Sequence, residues 1–409
     1  MKFCLIGEKL SHSYSKEIHK YLGLDYTLKE IVRCGVGDFV TNSSYKGFNV
    51  TIPYKKDVIP YLDQVSSVAK EIGAVNTVVN KNGKLYGYNT DVGGILYTLE
   101  RKGVNLSGKR VLILGTGGAS KAVEYVCKTQ GANYTFVSRN GDVNYQNCYD
   151  IKGVEVIINA TPVGMYPLID ECPVNLEKFD RLQCVIDLIY NPQKTLLIKK
   201  AEELNLICSN GLPMLVEQAL LAQDIWLDKK HLPSLTEEII LKLSGDKLNL
   251  ALIGMPGAGK TTVGKELAVK LNKKFIDLDE EIKSSIGKPP AEIILSDGEE
   301  RFREIETQVL KNVLLNSNAV ISLGGGAVIK QENRRLLGLN AITVYIKRDL
   351  LSLGLENRPI SKDKGVEKLF EERKPYYESA DIWVDNNGAI NDTLKEIVLN
   401  YEATRSKWT

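Results

Sequence analysis

The sequence lacks three features that would place it in well-known classes of protein. Its 409 residues contain no apolar run close to the roughly 20 residues needed to span a bilayer. The seven cysteines are odd in number and form no CxxC pair, which argues against a disulfide framework and against structural zinc. The 53 basic and 51 acidic residues nearly cancel, so charge favours neither nucleic acid nor a membrane surface as a partner.

The length and the start of the chain bound its organisation and location. Single hydrophobic cores stop growing at about 250–300 residues, so we expect two or three domains. The apolar part of the opening MKFCLIGEKL is too short for a signal peptide, and we expect a cytoplasmic protein.

Two segments each predict a buried strand, a glycine-rich turn and a helix. They are KRVLILGTGGASKAVEYV at residues 109–126 and LNLALIGMPGAGKTTVGKELAVKL at residues 248–271. Continuous apolar runs are typical of buried parallel strands, so we expect α/β halves with mainly parallel sheets. The polar stretch KLSGDKLN at 242–249 predicts a linker, with one half over 1–245 and the other over 246–409.

The first glycine loop is a candidate dinucleotide site. Its residues are Gly115, Gly117, Gly118, Ala119 and Ser120. Glycines let the backbone approach a pyrophosphate at a helix N-terminus, although a plain strand-to-helix turn is the alternative because the loop is not a strict GxGxxG. The next predicted strand ends in Ser138 and Arg139, where an arginine suits the 2′-phosphate of NADP(H) and is otherwise a solvated surface charge.

The second glycine loop is a complete GxxxxGK[ST] motif. The residues that would surround the phosphates are Gly254, Gly257, Ala258, Gly259, Lys260, Thr261 and Thr262. In this motif the lysine reaches the β- and γ-phosphates and the hydroxyl binds Mg²⁺. The motif predicts ATP binding and does not name the phosphate acceptor.

Seven ordered strings resemble the signatures of the shikimate dehydrogenase family over about residues 3–240. They are SHSYSKEIH, GFNVTIPYK, GAVNTVV, GYNTDVGG, NATPVGM, DLIYNP and NGLPMLVEQAL. The resemblance implies a two-domain enzyme that reduces 3-dehydroshikimate to shikimate with NADPH. Residues 1–95 plus 212–245 would bind the substrate, and residues 96–211 would form a Rossmann-like nucleotide domain.

The same resemblance implies roles for individual residues. Lys55 and Asp91 would be the catalytic acid–base pair, although a surface ion pair is the ordinary interpretation of one Lys and one Asp. The implied substrate residues are Ser13, Ser15, Thr51, Asn76, Tyr190 and Gln218. His12 and His19 are interpreted as structural. Only 19 residues separate Arg139 from Asn159, so we expect one βα unit of the family to be missing or reduced.

The second half resembles the shikimate kinase family over about residues 248–385. The matching strings are FIDLDEEI, GEERFREIE, SLGGGAV, NRP and RKPYYE. The resemblance implies a P-loop kinase with a parallel sheet that uses MgATP to make shikimate 3-phosphate. The implied roles are Mg²⁺ binding by Asp277, acceptor binding by Asp279, carboxylate binding by Arg303 and Arg373, substrate contact by Gly325 and Gly326, and lid closure by Arg358.

The two resemblances support each other because the product of the first reaction is the substrate of the second. One alternative is a quinate dehydrogenase joined to another small-molecule kinase, and Arg139 and the carboxylate-binding arginines argue against it. The other is a non-enzymatic metabolite sensor, which should have lost the catalytic residues that are present here. The expected partners are small molecules, and the oligomeric state is left open.

Overall fold

The computed structural model describes residues 1–10, 13–166, 168–315, 318–353, 365–405 and 408. The chain forms two compact units, Met1–Leu243 and Ser244–Trp408. Among the described residues, no helix is long and apolar enough to cross a membrane.

The first sheet of the first unit has six strands. They are β1 (Lys2–Gly7), β2 (Asp25–Glu30), β3 (Gly47–Val50), β4 (Gln64–Val65), β5 (Thr77–Lys81) and β6 (Lys84–Tyr88). Their order is β2-β1-β3-β5-β6-β4, and β5 runs antiparallel to both of its neighbours. The pairings of β1 with β2 and β3 and of β4 with β6 are parallel, as expected, and β5 is the exception, joined to β6 by a hairpin with turn residues Asn82 and Gly83 at φ of 56° and 85°.

The second sheet of this unit has five parallel strands. They are β7 (Arg110–Leu114), β8 (Asn133–Val137), β9 (Val156–Asn159), β10 (Cys184–Asp187) and β11 (Ile207–Ser209), in the order β11-β10-β9-β7-β8. Between β8 and β9 the chain forms only a 3₁₀ turn at Cys148–Asp150. The crossover is therefore reduced, as the short spacing after Arg139 predicts.

Eight helices belong to the first unit or begin in it, within the part of the chain that the structure describes. They are α1 (Ser15–Tyr21), α2 (Val36–Asn42), α3 (Ser67–Ile72), α4 (Asp91–Arg101), α5 (Gly118–Thr129), α6 (Leu196–Glu203), α7 (Leu212–Leu227) and α8 (Pro233–Lys247). Helices α4 and α7 approach closely, since a Cβ on Gly94 would lie 2.5 Å from the carbonyl oxygen of Met214. Only a glycine permits this approach, which joins the helix that starts at Asp91 to the helix that carries Gln218.

The predicted linker at 242–249 is wrong in its local structure. Helix α8 continues to Lys247, through the Ser-Gly-Asp sequence that suggested a break. The carbonyl of Gly245 accepts hydrogen bonds from Lys273 Nζ at 2.8 Å and from Tyr401 Oη at 3.0 Å. Side chains that satisfy the last carbonyls of a helix stabilise its C-terminus, and they come from residues distant in sequence.

The second unit is built on a five-stranded parallel sheet. Its strands are β12 (Asn249–Ile253), β13 (Lys274–Asp277), β14 (Ala319–Ser322), β15 (Ala341–Lys347) and β16 (Ile382–Asp385). Its helices are α9 (Lys260–Leu271), α10 (Leu278–Ile286), α11 (Pro290–Leu314), α12 (Gln331–Asn340), α13 (Val366–Tyr377) and α14 (Ile390–Arg405). The strand order is β13-β14-β12-β15-β16, and every residue of the central strand β12 is buried. The loop that follows β12 therefore starts at the middle of the sheet.

Candidate active sites

The predicted catalytic pair of the first unit is assembled. Lys55 Nζ donates to Asp91 Oδ2 at 2.6 Å, and both side chains are largely shielded from solvent. Asp91 is the first residue of α4, where the positive end of the helix dipole stabilises a carboxylate. A Cβ on Gly118 would lie 3.8 Å from Lys55 Cδ, which places the lysine beside the first glycine loop.

A buried amide and hydroxyl network holds Asp91 in place. Asn76 Nδ2 donates to Asp91 Oδ1 at 2.8 Å and to Thr90 Oγ1 at 3.0 Å. Asn76 Oδ1 accepts from the Thr90 backbone nitrogen at 2.8 Å and from the Thr77 hydroxyl at 3.0 Å. The Asn76 amide thus orients the carboxylate, and its implied role as a substrate ligand remains a prediction.

Three residues implied for the substrate carboxylate lie near helices α1 and α7, namely Ser13, Ser15 and Tyr190. Ser13 Oγ donates to Ser15 Oγ at 3.1 Å, and the ring of Tyr14 lies 5.0 Å from that of Tyr190. Burial raises the pKa of Tyr190 to about 12, so its hydroxyl keeps its proton at neutral pH. Tyr14 and Tyr190 pack with apolar residues of α7, the helix on which Gln218 lies.

Two further substrate residues are placed by their backbone neighbours. Gln218 Nε2 donates to the carbonyl of Leu215 at 2.8 Å. Thr51 follows β3, and its backbone nitrogen donates to the carbonyl of Ile6 at 3.0 Å. Their roles as substrate ligands remain predictions.

The first glycine loop leaves room for a dinucleotide. Gly115 has φ of 98°, and a Cβ there would lie 2.9 Å from Thr161 Cγ2, so the position favours glycine. A Cβ on Gly117 would meet nothing within 4 Å, so the backbone faces open space where α5 begins. Ser120 is buried and its hydroxyl donates to the Gly117 carbonyl at 2.6 Å. Ala119 lies in the first turn of α5, whose free N–H groups suit a pyrophosphate.

Arg139 lies where a 2′-phosphate ligand is expected. It follows β8 by two residues and is exposed at the same sheet edge as the glycine loop. The Ser138 backbone nitrogen donates to the carbonyl of Val143 at 3.1 Å, which closes the loop after the strand. The donor set of an exposed guanidinium and a hydroxyl fits the extra phosphate of NADP(H).

The second glycine loop has the backbone that its motif predicts. Gly254, Gly257 and Gly259 have φ of 142°, 83° and 91°, which residues with a Cβ adopt at a cost. Lys260 is buried, and its Nζ donates to the carbonyls of Gly254 and Met255 at 2.9 Å each. Ala258 precedes Gly259, and Thr262 lies in the first turn of α9. The lysine therefore projects over the loop that would hold the phosphates.

The hydroxyl and carboxylate expected at a Mg²⁺ site are adjacent. Thr261 Oγ1 donates to Asp277 Oδ2 at 2.8 Å. No cluster of three or more His, Cys, Asp or Glu side chains that could hold a metal occurs among the described residues. This arrangement fits Mg²⁺, which proteins usually hold by one or two oxygen ligands together with phosphates and water.

The residues predicted to bind the acceptor in the second unit bring several charges together. Arg303 Nη1 donates to Glu306 Oε2 at 2.8 Å, and the Glu306 side chain is 1% exposed. A Cβ on Gly324 would lie 3.1 Å from Glu306 Oε1 and 3.2 Å from Asp279 Oδ1, so the two carboxylates border one point. Burial raises the pKa of Glu306, and the Arg303 guanidinium opposes that shift. A Cβ on Gly326 would lie 2.1 Å from Arg303 Nη2, so only glycine leaves the guanidinium its place.

Two buried polar atoms of this site make no hydrogen bond within the described residues, namely Glu306 Oε1 and Arg373 Nε. A polar ligand would satisfy atoms of this kind. Tyr377 Oη donates to the carbonyl of Gly325 at 2.5 Å, and burial raises the pKa of Tyr377 to about 12. The tyrosine thus fixes the glycine turn next to the arginines.

The structure points to two residues that the sequence analysis did not single out, and two residues discussed there lie outside the described part of the chain. Thr90 and Glu306 stand inside the quoted motifs, but their roles depend on spatial neighbours. His19 is buried against Tyr26 with ring centroids 4.0 Å apart, and burial lowers its pKa to about 3, which fits a structural role. Arg358 and His12 lie outside the described residues.

Comparison with known proteins finds two protein families along the chain. A family model described as shikimate dehydrogenase substrate binding domain matches residues 5–78, and one described as shikimate kinase matches residues 256–402. A shikimate dehydrogenase (NADP(+)) of Clostridium beijerinckii is 40% identical over 244 residues, which are 54% of this chain and 90% of that protein. The chain belongs to the shikimate dehydrogenase family and carries a shikimate kinase domain.

Solved structures of shikimate dehydrogenases share the fold of the first unit. A chorismate mutase/shikimate 5-dehydrogenase fusion protein from Clostridium acetobutylicum is 36% identical, with a TM-score of 0.57 over 59% of this chain and 96% of that one. The Thermus thermophilus shikimate 5-dehydrogenase in complex with NADP(H) and shikimate is 29% identical, with a TM-score of 0.54 over 59% and 99% of the two chains.

Proposed function

We propose that this chain catalyses two consecutive reactions. Its first unit reduces 3-dehydroshikimate to shikimate with NADPH, and its second unit phosphorylates shikimate with MgATP to shikimate 3-phosphate. The observation that carries the proposal is the presence, in one chain, of the Lys55–Asp91 pair beside a dinucleotide loop and of a phosphate loop beside Asp279 and Arg303.

In the reduction, bound NADPH would supply the hydride to the ketone carbon. The chain must then stabilise and protonate the ketone oxygen. Lys55 would supply this proton from Nζ, and Asp91 would orient the ammonium through the 2.6 Å hydrogen bond. Asn76 keeps the carboxylate fixed from its other oxygen, so the pair is preorganised before substrate binds.

In the phosphorylation, ATP with Mg²⁺ would supply the phosphoryl group. The chain's task is to position the acceptor hydroxyl and take its proton, for which the Asp279 carboxylate is suited. Arg303 and Arg373 would bind the substrate carboxylate, because a guanidinium fork matches its two oxygens. Lys260 would hold the phosphate chain, and Thr261 and Asp277, which share a 2.8 Å hydrogen bond, would hold Mg²⁺.

A coupled assay tests the proposal. We expect full-length protein given 3-dehydroshikimate, NADPH and MgATP to form shikimate 3-phosphate, identified by mass. Without ATP, shikimate should accumulate. Oxidation of quinate with NAD and no activity on shikimate would favour the quinate alternative instead, and the absence of any turnover would favour a sensor.

A further inference from the structure

The phosphate loop of the second unit has two different sides. The strand order places β14 and β13 on one side of β12, and β15 and β16 on the other. On the first side, Asp277, proposed for the metal, ends β13, and Asp279, proposed for the acceptor, lies in the first turn of α10. With the γ-phosphate facing an acceptor hydroxyl on the first side, the rest of the nucleotide would extend toward the carboxyl ends of β15 and β16.

Arg348 lies at this second side, as the first residue after β15. A Cβ on Gly259 of the phosphate loop would lie 3.7 Å from Arg348 Nη1. The same Cβ would lie 2.7 Å from Nδ2 of Asn386, the first residue after β16, which donates to the Ala258 carbonyl at 2.8 Å. Asn386 thus braces the loop, and the guanidinium stands next to it.

The Arg348 guanidinium lacks an anionic partner within the described part of the chain. Its Nε is buried and makes no hydrogen bond there, and the side chain as a whole is only partly exposed. Arg303, by contrast, has its charge balanced by Glu306. A shielded guanidinium without a counterion is stabilised by a ligand that brings negative charge, and phosphate oxygens fit its planar fork.

We propose that Arg348 binds the α-phosphate of the ATP donor. The loop amides and Lys260 serve the β- and γ-phosphates, and the α-phosphate is the anionic group nearest the β15 side. This inference rests on the proposed kinase function and names a nucleotide-binding residue that the phosphate-loop motif does not contain.

The test compares Arg348→Met with the matched variant Lys347→Met in the full-length protein. Lys347 is the exposed last residue of β15, and the side-chain atoms nearest a Cβ on Gly259 belong to Asn386 and Arg348, so the Lys347 variant changes net charge equally at the neighbouring position. Binding of MgADP and of magnesium tripolyphosphate is measured by calorimetry. Shikimate binding and the melting temperature report on the rest of the fold.

We expect Arg348→Met to weaken both MgADP and magnesium tripolyphosphate by roughly 10- to 100-fold, the effect of losing a charge-assisted hydrogen bond. Lys347→Met should change neither by more than about 2-fold, and Arg348→Lys should restore part of the affinity. Weaker MgADP with unchanged tripolyphosphate would place Arg348 on the nucleoside and overturn the assignment, as would unchanged MgADP. A wild-type chain that binds neither ligand would instead contradict the proposed kinase function.

Discussion

The two glycine loops begin alike and differ in where positive charge lies. Each follows a buried parallel strand and opens a helix, α5 in the first unit and α9 in the second. The first loop contains no cationic side chain, and Arg139 stands at the end of the neighbouring strand. The second contains Lys260, which is buried and hydrogen-bonded to two carbonyls of its own loop.

This difference follows the chemistry that each loop serves. A dinucleotide keeps its pyrophosphate throughout hydride transfer, so backbone N–H groups at a helix N-terminus are sufficient to hold it. A donor that loses its γ-phosphate develops charge on the transferring group, and a cation inside the loop stabilises that charge. In the first unit the charges proposed for catalysis lie outside the loop, on Lys55 and Asp91.

The largest effect is expected from substituting Lys55 or Asp91, the charged residues that lie beside the first loop. Lys55→Ala and Asp91→Asn should each lower the dehydrogenase kcat by about 10²–10⁴, the range for a positioned acid or base. Phosphorylation of shikimate should be unchanged. Steady-state kinetics of both activities check this, with Lys56→Ala as a control because Lys56 is exposed beside Lys55. An unchanged kcat in Lys55→Ala would show that the pair is structural.

The next effect tests the charge inside the second loop. Lys260→Ala should lower kinase kcat by about 10²–10³, the usual loss when a group that stabilises transition-state charge is removed. Reduction of 3-dehydroshikimate should continue, since Lys260 belongs to the other unit. Both rates are measured on the same full-length preparation. A parallel fall in dehydrogenase activity would contradict separate loops with separate roles.

A smaller effect is expected from the charge beside the first loop. The wild type should prefer NADPH to NADH, and Arg139→Ala should remove about 1.5–3 kcal/mol of that preference, the value of a hydrogen bond to a charged group. The ratio of kcat/KM for the two cofactors measures this. Arg181→Ala is the control, because Arg181 is an exposed arginine near the start of β10, at the opposite end of the sheet. Equal wild-type values for the cofactors would contradict the NADP assignment.

The parts of the fold that sequence predicts are those set by local pattern. The two strand–loop–helix units follow from continuous apolar runs and glycine-rich turns, and the reduced crossover follows from the 19 residues between Arg139 and Asn159. The β5–β6 hairpin had a local signal, Asn82-Gly83, that the expectation of parallel sheets overlooked.

The parts that sequence missed depend on neighbours distant along the chain. The stretch 242–249, predicted as a linker, instead continues α8 to Lys247, where Lys273 and Tyr401 donate hydrogen bonds to the Gly245 carbonyl. The role of Asn76 as the support of Asp91 likewise requires β5 to lie against the start of α4. Such residues can lie inside a motif, as Asn76 does, but only their contacts show which side chain they support.

The smallest expected effect on activity comes from separating the two units. The hydrogen bonds at the end of α8 determine the best boundary between the two fragments. A fragment of residues 1–243 should reduce 3-dehydroshikimate and one of residues 244–409 should phosphorylate shikimate, each within about 3-fold of the full chain, since each exceeds the size at which a single core is stable. The predicted boundary at 245/246 would remove the Gly245 carbonyl from the kinase fragment. Lys273, whose pKa burial lowers to about 8, would then lose one of its acceptors.

We therefore expect the fragment 246–409 to be less stable to urea than 244–409 by about 1–3 kcal/mol, the cost of leaving buried donors unpaired. Tyr401→Phe is the matched control, because the Tyr401 hydroxyl donates to the same carbonyl. The substitution should destabilise 244–409 and have little effect on 246–409, where its acceptor is already missing. Equal stability of the two fragments would show that the end of α8 does not contribute to the kinase fold. A kinase fragment that is active only after the dehydrogenase fragment is added back would contradict the independence of the two activities.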